Sequence, residues 1–381
     1  MVSAAAVSAT ARPEPRATAG GEDFNVAAHG LRGVASMMVL FAHLLGGTAE
    51  HIYHADRNYV SAVLPFWNIG TFGVQLFFVI SGFVILPSVR RYSLGEFGLR
   101  RFLRLYPLFL AFSLLFAALN YFTGAYPKLN TVTAFVSALF FLNLFTGTEQ
   151  LTPNAWSLSF EVMFYLATAI TYYCAFTRRS VVLTIVSLLL SLAFWVQFPI
   201  SSYFALGLLV RVLHDRGLVL PLRLARSFEA VMLGVAIWLA SLSHYEYRWA
   251  DLANPAVPPL IVATAAYFYL AVHRNSLTAL LLNNRPTLYL GTVSYSLYIV
   301  HPYIYLPTRL AFARLGWFTE DTVLSLTIFA LVVTPLALIA TAIVHDRLER
   351  WPYTRFFRQG IYRRRAAASG ADERRSRDSV G

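Results

Sequence analysis

Arg32 and His43 stand eleven residues apart in the apolar stretch LRGVASMMVLFAH, residues 31–43. Charged side chains inside a bilayer cost roughly 2.5–3.5 kcal/mol on insertion scales, so they tend to face protein, water or substrate. Imidazole titrates near neutral pH and is the usual general base of enzymes. We therefore interpret His43 as a candidate catalytic residue. The alternative is a buried histidine that is hydrogen-bonded to a backbone carbonyl.

Glu161 in WSLSFEVMFY and His301 in SYSLYIVHPY are further titratable residues within apolar stretches. A helix rises ~1.5 Å per residue, which puts both of them, with His43, in the half of a bilayer away from Arg32. This predicts a shared polar cavity. A helix–helix hydrogen bond would also explain Glu161. A structural role before Pro302, where a helix should kink or end, would also explain His301.

The stretch RRYSLGEFGLRRFLRLYP, residues 90–107, is rich in arginine. Arg101 and Arg104 are three residues apart on one face of a predicted helix, and guanidinium groups in this arrangement can clamp phosphate oxygens. The pattern favours a phosphorylated donor on the cytoplasmic side. Simple anchoring of the helix at the cytoplasmic surface is the alternative.

Ser81 and Gly82 lie among large apolar residues in GTFGVQLFFVISGFVI. Small residues in membrane helices usually mark close helix packing, and ISGFV lacks the Gly-x-Ser-x-Gly pattern of a serine-hydrolase elbow. We keep Ser81, and Trp156 at the start of WSLSFEVMFY, as candidate accessory residues. No metal site is predicted, because the sequence has no HExxH motif and one cysteine, Cys174.

The composition indicates a membrane protein with several crossings. Of the 381 residues, 57% are hydrophobic and 13% are charged, and the mean hydropathy is +0.56. The predicted fold is all-α, a helical membrane bundle of about ten transmembrane helices plus one short re-entrant or interfacial segment. The candidate segments are 31–47, 69–90, 102–122, 132–148, 156–176, 180–198, 199–213, 228–243, 257–272, 288–306 and 322–344.

Arginine and lysine placement indicates which segments cross, because short loops rich in these residues stay in the cytoplasm. If 132–148 does not cross, all but five of the 31 Lys and Arg fall on the cytoplasmic side. We predict a multi-pass protein of the inner (plasma) membrane with cytoplasmic termini. Orientation also explains the net charge of +12, so no nucleic-acid partner is expected. Residues 1–28 are predicted to be a disordered tail, 29–345 the transmembrane catalytic domain and 346–381 a basic tail.

Ordered motifs in this sequence resemble the acyltransferase-3 family of integral membrane O-acyltransferases. They are the spacing of Arg32 and His43, then GVQLFFVISGFVI, RRFLRLYP and WSLSFEVMFY, followed near the end by GTVSYSLYIVH. Together they cover residues 29 to about 345. Gln75 departs from the pattern, because many relatives carry an acidic residue there.

The resemblance implies transfer of an acyl group, commonly acetyl, from a cytoplasmic acyl-CoA, which is a donor substrate rather than a bound cofactor. The implied acceptor is a hydroxyl group of a carbohydrate-like molecule, such as an envelope sugar, an exopolysaccharide or a macrolide. Carried over by position, Arg32 and His43 are the family's essential pair, and Glu161 is the acid of its Trp-Ser-Leu motif. Arg101 and Arg104 form the basic motif that suits the phosphates of acyl-CoA.

Two other functions fit the same residues. A proton-coupled transporter of a sugar or drug would also need His, Glu and Arg within the bilayer. A non-catalytic partner of a flippase is the third hypothesis. For an acyltransferase, the sequence leaves open whether His43 acts as a general base or is itself transiently acylated.

Overall fold

The computed structural model describes residues 24–217, 221–246 and 248–356, which form helices, turns and loops without a β-strand. The all-α prediction is confirmed for these residues. In chain order the α-helices are α1 (Val26–His51), α2 (Arg57–Thr71), α3 (Gly73–Arg91), α4 (Leu94–Thr123), α5 (Val132–Leu139), α6 (Asn143–Thr146), α7 (Trp156–Tyr172), α8 (Val181–Gln197), α9 (Ser202–Asp215), α10 (Leu222–Leu242), α11 (Trp249–Leu252), α12 (Val257–Ala271), α13 (Leu277–Leu282), α14 (Arg285–Arg314), α15 (Thr322–Val344) and α16 (Trp351–Phe356).

Side-chain caps define where the two central helices begin. Asn25 accepts a hydrogen bond from the Ala28 amide at the start of α1, and Asn284 accepts one from the Thr287 amide at the start of α14. A cap of this kind contributes about 1 kcal/mol. The two caps therefore help to set the register of the helices that hold Arg32, His43 and His301.

Six helices of the described ranges are long and apolar enough to cross a membrane, or seven if α8 and α9 form one bent span. The count of about ten is therefore not confirmed. α12 has only 15 residues, and α14 carries serine, tyrosine and histidine side chains at its centre. The six helical stretches are Val26–His51, Arg57–Arg91, Leu94–Thr123, Trp156–Thr177, Leu222–Leu242 and Thr322–Phe356.

Two regions test which predicted segments cross. The segment 132–148 forms α5 and α6, and the eight residues of α5 extend only ~12 Å against a hydrocarbon core of ~30 Å. This agrees with the prediction that the segment does not cross. Segments 180–198 and 199–213 are predicted as two crossings. They form α8 and α9, which meet at a bend of 119°.

Glycines allow close contact between helices at the centre of the bundle. A Cβ atom on Gly33 of α1 would lie 2.7 Å from the backbone nitrogen of Gly291 on α14. A Cβ atom on Gly82 of α3 would lie 2.1 Å from the carbonyl oxygen of Phe204 on α9. Gly82 is therefore a packing residue, as its apolar surroundings predict. The closely packed helix pairs α1–α14 and α3–α9 surround the candidate active site.

The chain ends differ from the predicted domain boundaries. α1 begins at Val26, inside the predicted tail of residues 1–28, and residues 1–23 lie outside the described ranges. At the other end, α15 continues through a π-helical turn, His345–Arg350, into α16. We call His345–Phe356 the C-terminal helix. The first part of the predicted tail is thus helical, and residues 357–381 lie outside the described ranges.

Candidate active site

A cavity of about 620 Å³ lies among α1, α3, α4, α9, α14 and the C-terminal helix. We call it the basic cavity, because seven arginines line it and Glu349 is the one carboxylate among its described lining residues. Guanidinium groups bind phosphate oxygens in a planar, often bidentate arrangement, so this cavity suits an anionic ligand with phosphate groups. The arginines are Arg32, Arg91, Arg100, Arg101, Arg104, Arg211 and Arg350.

The arginines of α4 differ in how firmly the protein holds them. Arg100 donates to a Glu96 carboxylate oxygen at 2.8 Å, and Arg101 donates to Ser88 Oγ at 2.9 Å. Arg104 makes no hydrogen bond or ion pair with another described residue, although it lines the cavity. Its guanidinium group is therefore available to a ligand.

A second cavity, of about 610 Å³, is lined by His43, and we call it the histidine cavity. Its charged lining residues, apart from histidine, are Glu246 and Arg248, which pair with each other at 2.7 Å. The rest of the wall combines aromatic rings with amides, a lining suited to an uncharged ligand with hydroxyl groups. These residues include Trp67, Trp156, Phe160, Phe198, Tyr245, Trp249 and Tyr298, with Gln75, Asn154 and Gln197.

The His43 ring is oriented by its own helix. Nδ1 of His43 lies 2.8 Å from the Val39 carbonyl oxygen. A carbonyl oxygen only accepts hydrogen bonds, so in the neutral ring the proton is on Nδ1 and the lone pair is on Nε2. Nε2 has no hydrogen-bond partner among the described residues. The expected alternative, a histidine bonded to a carbonyl, is thus correct for one nitrogen and leaves the other available.

His301 lies beside His43 and has a different environment. The two ring centroids are 5.0 Å apart in an edge-on arrangement. His301 is fully buried, its Nδ1 donates to the Leu297 carbonyl at 2.9 Å, and its Nε2 accepts from Asn154 Nδ2 at 3.2 Å. Both nitrogens are occupied, so His301 supports His43 and is not itself a free base. The sequence predicts that the helix kinks or ends at the following Pro302; α14 does not end there and continues to Arg314.

A small space of about 30 Å³ lies between the two cavities, and we call it the neck. Arg32 and Arg104 line both the neck and the basic cavity, whereas Tyr298 lines both the neck and the histidine cavity. Ser157 and Tyr298 hydroxyls lie 2.8 Å apart, and the Tyr298 hydroxyl also donates to the Asn154 carbonyl at 2.9 Å. Hydrogen bonds therefore hold the aromatic wall of the neck in place.

Glu161 lines the neck and connects it to the basic cavity. One of its carboxylate oxygens accepts a hydrogen bond from Ser81 Oγ at 2.8 Å and another from the Tyr165 hydroxyl. The Tyr165 ring in turn lies 4.9 Å from the guanidinium carbon of Arg101. Tyr165 therefore contacts both Glu161 and Arg101, so a substitution at Glu161 is expected to affect the arginines of the basic cavity through this one tyrosine.

Comparison with known proteins identifies the family. A family model described as an acyltransferase domain matches residues 25–344. The chain belongs to this acyltransferase family. It is also 27% identical over 380 residues to Acyltransferase MdmB of Streptomyces mycarofaciens, an alignment that covers 90% of this chain and 94% of the relative. No solved structure matches the chain.

This membrane acyltransferase distributes the predicted site residues over the two cavities and the neck, except for His301. Arg32, Arg101 and Arg104 line the basic cavity, and Trp156 and His43 line the histidine cavity. Ser81 and Glu161 line the neck, so the predicted single cavity that contains both His43 and Glu161 is wrong. His301 lies behind His43 and is absent from the lining of all three spaces.

Sequence reasoning missed three contributors to the acyltransferase site. Tyr298 precedes His301 by three residues, so helical spacing from a candidate histidine could have indicated it. Asn154 lies in a turn before α7, where no periodic pattern points to a site. Glu349 follows His345 by four residues, which is a typical spacing for a helical ion pair, and the two side chains are 2.9 Å apart.

Proposed function

We propose that this acyltransferase moves an acyl group, most simply acetyl, from acyl-CoA in the basic cavity to a hydroxyl group of an acceptor in the histidine cavity. The observation that carries the proposal is the arrangement of two cavities of opposite chemistry on either side of the neck. The family membership supports acyl transfer. It also favours this function over the transporter and the flippase partner.

Acyl-CoA suits the basic cavity because its nucleotide end is strongly anionic and its thioester end is neutral. The arginines would bind the phosphates, and Arg104, which lines both the cavity and the neck, would mark the path towards the thioester. Charge-assisted hydrogen bonds to phosphate are roughly twice as strong as neutral ones. The acyl donor would therefore be held mainly by its nucleotide.

The transfer step can be written with its protons balanced. Nε2 of His43 takes the proton of the acceptor hydroxyl while the hydroxyl oxygen attacks the acyl carbon. The carbon–sulfur bond then breaks, and Nε2 of His43 passes the proton on to the departing thiolate, so the products are an ester and free CoA and the imidazole is neutral again. The hydrogen bond from Nδ1 to Val39 keeps the ring oriented during the step.

General-base catalysis is preferred here over a transient acyl-histidine. In the base mechanism CoA leaves only when an acceptor is present. In the acyl-histidine mechanism one equivalent of CoA leaves without an acceptor. Rapid mixing of the purified protein with acetyl-CoA alone separates the two, and a burst of one thiol per protein would contradict the base mechanism.

The acceptor is proposed to be carbohydrate-like, with an envelope sugar, an exopolysaccharide or a macrolide as its forms. The histidine cavity supports this class because tryptophan rings can pack on the apolar faces of a sugar or macrocycle. The amides of Gln75, Asn154 and Gln197 can bind hydroxyl groups. No phosphate or carboxylate on the acceptor is required.

The proposed orientation places the basic cavity on the cytoplasmic side of the plasma membrane, with ten crossings and both termini cytoplasmic. Cytoplasmic acyl-CoA would then reach the arginines directly. Cys174 is the single cysteine, so a Cys174→Ser background allows single reporter cysteines to be placed at His54 and Arg179. An impermeant thiol reagent on intact cells should label position 54 and not 179, and the reverse pattern would contradict this orientation.

Thiol release tests the function. Purified protein in lipid nanodiscs should release CoA from acetyl-CoA when a pool of envelope glycans or macrolides is added, and mass spectrometry should find the acetylated acceptor. His43→Ala should lower both signals about 10³-fold. Gradient-driven uptake without CoA release would contradict the proposal and favour the transporter.

A further inference from the structure

The C-terminal helix closes the basic cavity although it lies beyond the family match, which ends at residue 344. Resting on the proposed function, we propose that this helix is part of the acyl-CoA binding site and holds the nucleotide end of the acyl donor. Five of its residues line the cavity: His345, Glu349, Arg350, Tyr353 and Thr354.

A buried hydrogen bond from Ser296 of α14 to Glu349 fastens the C-terminal helix to the bundle. Glu349 is only 8% exposed, and one of its oxygens accepts from Ser296 Oγ at 2.6 Å and lies 2.9 Å from His345 Nδ1. Ser296 is fully buried in α14. A buried carboxylate without such partners would be costly, so these contacts fix the helix in this position. The helix is thus a built wall of the basic cavity.

Tyr353 extends this wall to the arginines of α4. Its hydroxyl accepts a hydrogen bond from Arg100 Nη1 at 3.2 Å, while Glu96 binds the same guanidinium group. Arg100 lines the basic cavity. Tyr353 is therefore a positioning residue, which acts on the ligand through Arg100.

Arg350 and Arg104 mark opposite ends of the basic cavity. The Arg350 side chain is 68% exposed and pairs with Asp346 at 3.2 Å, which places it at the rim. Arg104 lines the neck as well as the cavity. An acyl donor whose thioester reaches the neck therefore has its nucleotide near the rim. An exposed ion pair contributes little to stability, so Arg350 can bind a phosphate at small cost.

The test measures CoA binding to the full-length protein in detergent by titration calorimetry, with pantetheine, which lacks the nucleotide, as second probe. Arg350→Gln should weaken CoA binding about tenfold and Tyr353→Phe about fivefold, with pantetheine binding unchanged. Arg355→Gln is the matched control, because Arg355 is exposed on the same helix and does not line the cavity. In acyl-transfer assays the two cavity variants should raise KM for acetyl-CoA and leave kcat unchanged.

The outcomes separate this inference from the proposed function. If wild type binds CoA and transfers acetyl while all three variants bind CoA equally, the inference fails and the function stands. A lowered kcat with unchanged KM would also overturn it, since the helix would then act on chemistry or folding. If wild type does not bind CoA, both proposals fail.

Discussion

The basic cavity and the histidine cavity are nearly equal in size, about 620 and 610 Å³, yet their walls are chemically opposite. Seven arginines line the first, whereas the single arginine that lines the second, Arg248, is paired with Glu246. Charge, and not volume, therefore distinguishes the two cavities. In the proposed function the anionic acyl donor would bind on the basic side, and a neutral hydroxyl group would be activated on the histidine side.

The neck makes this division useful for catalysis. At about 30 Å³ it has room for little more than a water molecule. In the proposed function this narrow connection would limit the access of water from the histidine cavity to the thioester of the acyl donor, and so limit its hydrolysis. The reacting groups would meet only where Tyr298 and Arg104 line the same space.

The largest effect is expected from a substitution that changes the histidine cavity and leaves the basic cavity intact. His43→Ala should lower kcat for acetyl transfer by about 10³-fold, because a positioned general base contributes 10²–10⁴-fold. CoA affinity should match wild type, as His43 does not line the basic cavity. Steady-state thiol release and calorimetry measure the two quantities. His54→Ala, an exposed histidine outside both cavities, is the control.

The same base predicts how activity depends on pH. Protonation of His43 Nε2 removes its lone pair, so kcat/KM for wild type should fall as pH is lowered on the acid side. The residual activity of His43→Ala should not show this decrease at low pH. A pH profile with the same acid limb in both proteins would assign the titration to another group.

The next largest effect is expected from the loss of an arginine that lines the basic cavity. Arg104→Gln should raise KM for acetyl-CoA about 10- to 100-fold, since hydrogen bonds to charged groups contribute about 1.5–3 kcal/mol. KM for the acceptor should change little. Arg285→Gln removes an exposed charge that lines neither cavity and serves as the control. Equal losses in both variants would point to general electrostatics instead of a specific contact.

A smaller effect is expected from a substitution in the neck, between the two cavities. Ser81→Ala removes one hydrogen bond to Glu161, so kcat should fall about 3- to 10-fold with thermal stability near wild type. Gly82→Ala should instead lower thermal stability, because its Cβ would meet the Phe204 carbonyl at 2.1 Å. Melting curves and initial rates of the two variants test this split. Equal melting temperatures would contradict the packing role of Gly82.

The smallest effect concerns the acceptor wall. Trp156→Phe keeps an aromatic ring in the histidine cavity but removes part of its surface. KM for the acceptor should rise about 3-fold while KM for acetyl-CoA stays constant. Initial rates at varied acceptor concentration measure the change. A shift in the acetyl-CoA KM instead would show that the two cavities are not independent.

Height along a helix could be predicted from the sequence, and it predicted that His43 and His301 lie at a similar level of the bundle, which agrees with their proximity. Their ring centroids lie 5.0 Å apart, although the residues are on different helices. The same reasoning failed for Glu161, because rise per residue gives the height of a side chain and not the direction in which it points around the helix axis. Glu161 faces Ser81 in the neck, a contact that depends on how α3 and α7 pack.

The C-terminal helix was missed for a different physical reason. Its sequence, HDRLERWPYTRF, is as charged as a solvated tail, and composition predicts no burial there. Burial arises from the contact between Glu349 and Ser296, two polar residues 53 positions apart in the chain. Pairings of this kind appear only when the bundle is assembled.

The most direct test of two separate substrate cavities is a cryo-electron microscopy structure of the His43→Ala variant with acetyl-CoA, which this variant should bind but not turn over. We expect the phosphates among the arginines of the basic cavity and the thioester in the neck beside Tyr298. A nucleotide bound in the histidine cavity, or on the surface away from Arg104, would contradict the assignment of the acyl donor and the acceptor to the two sides.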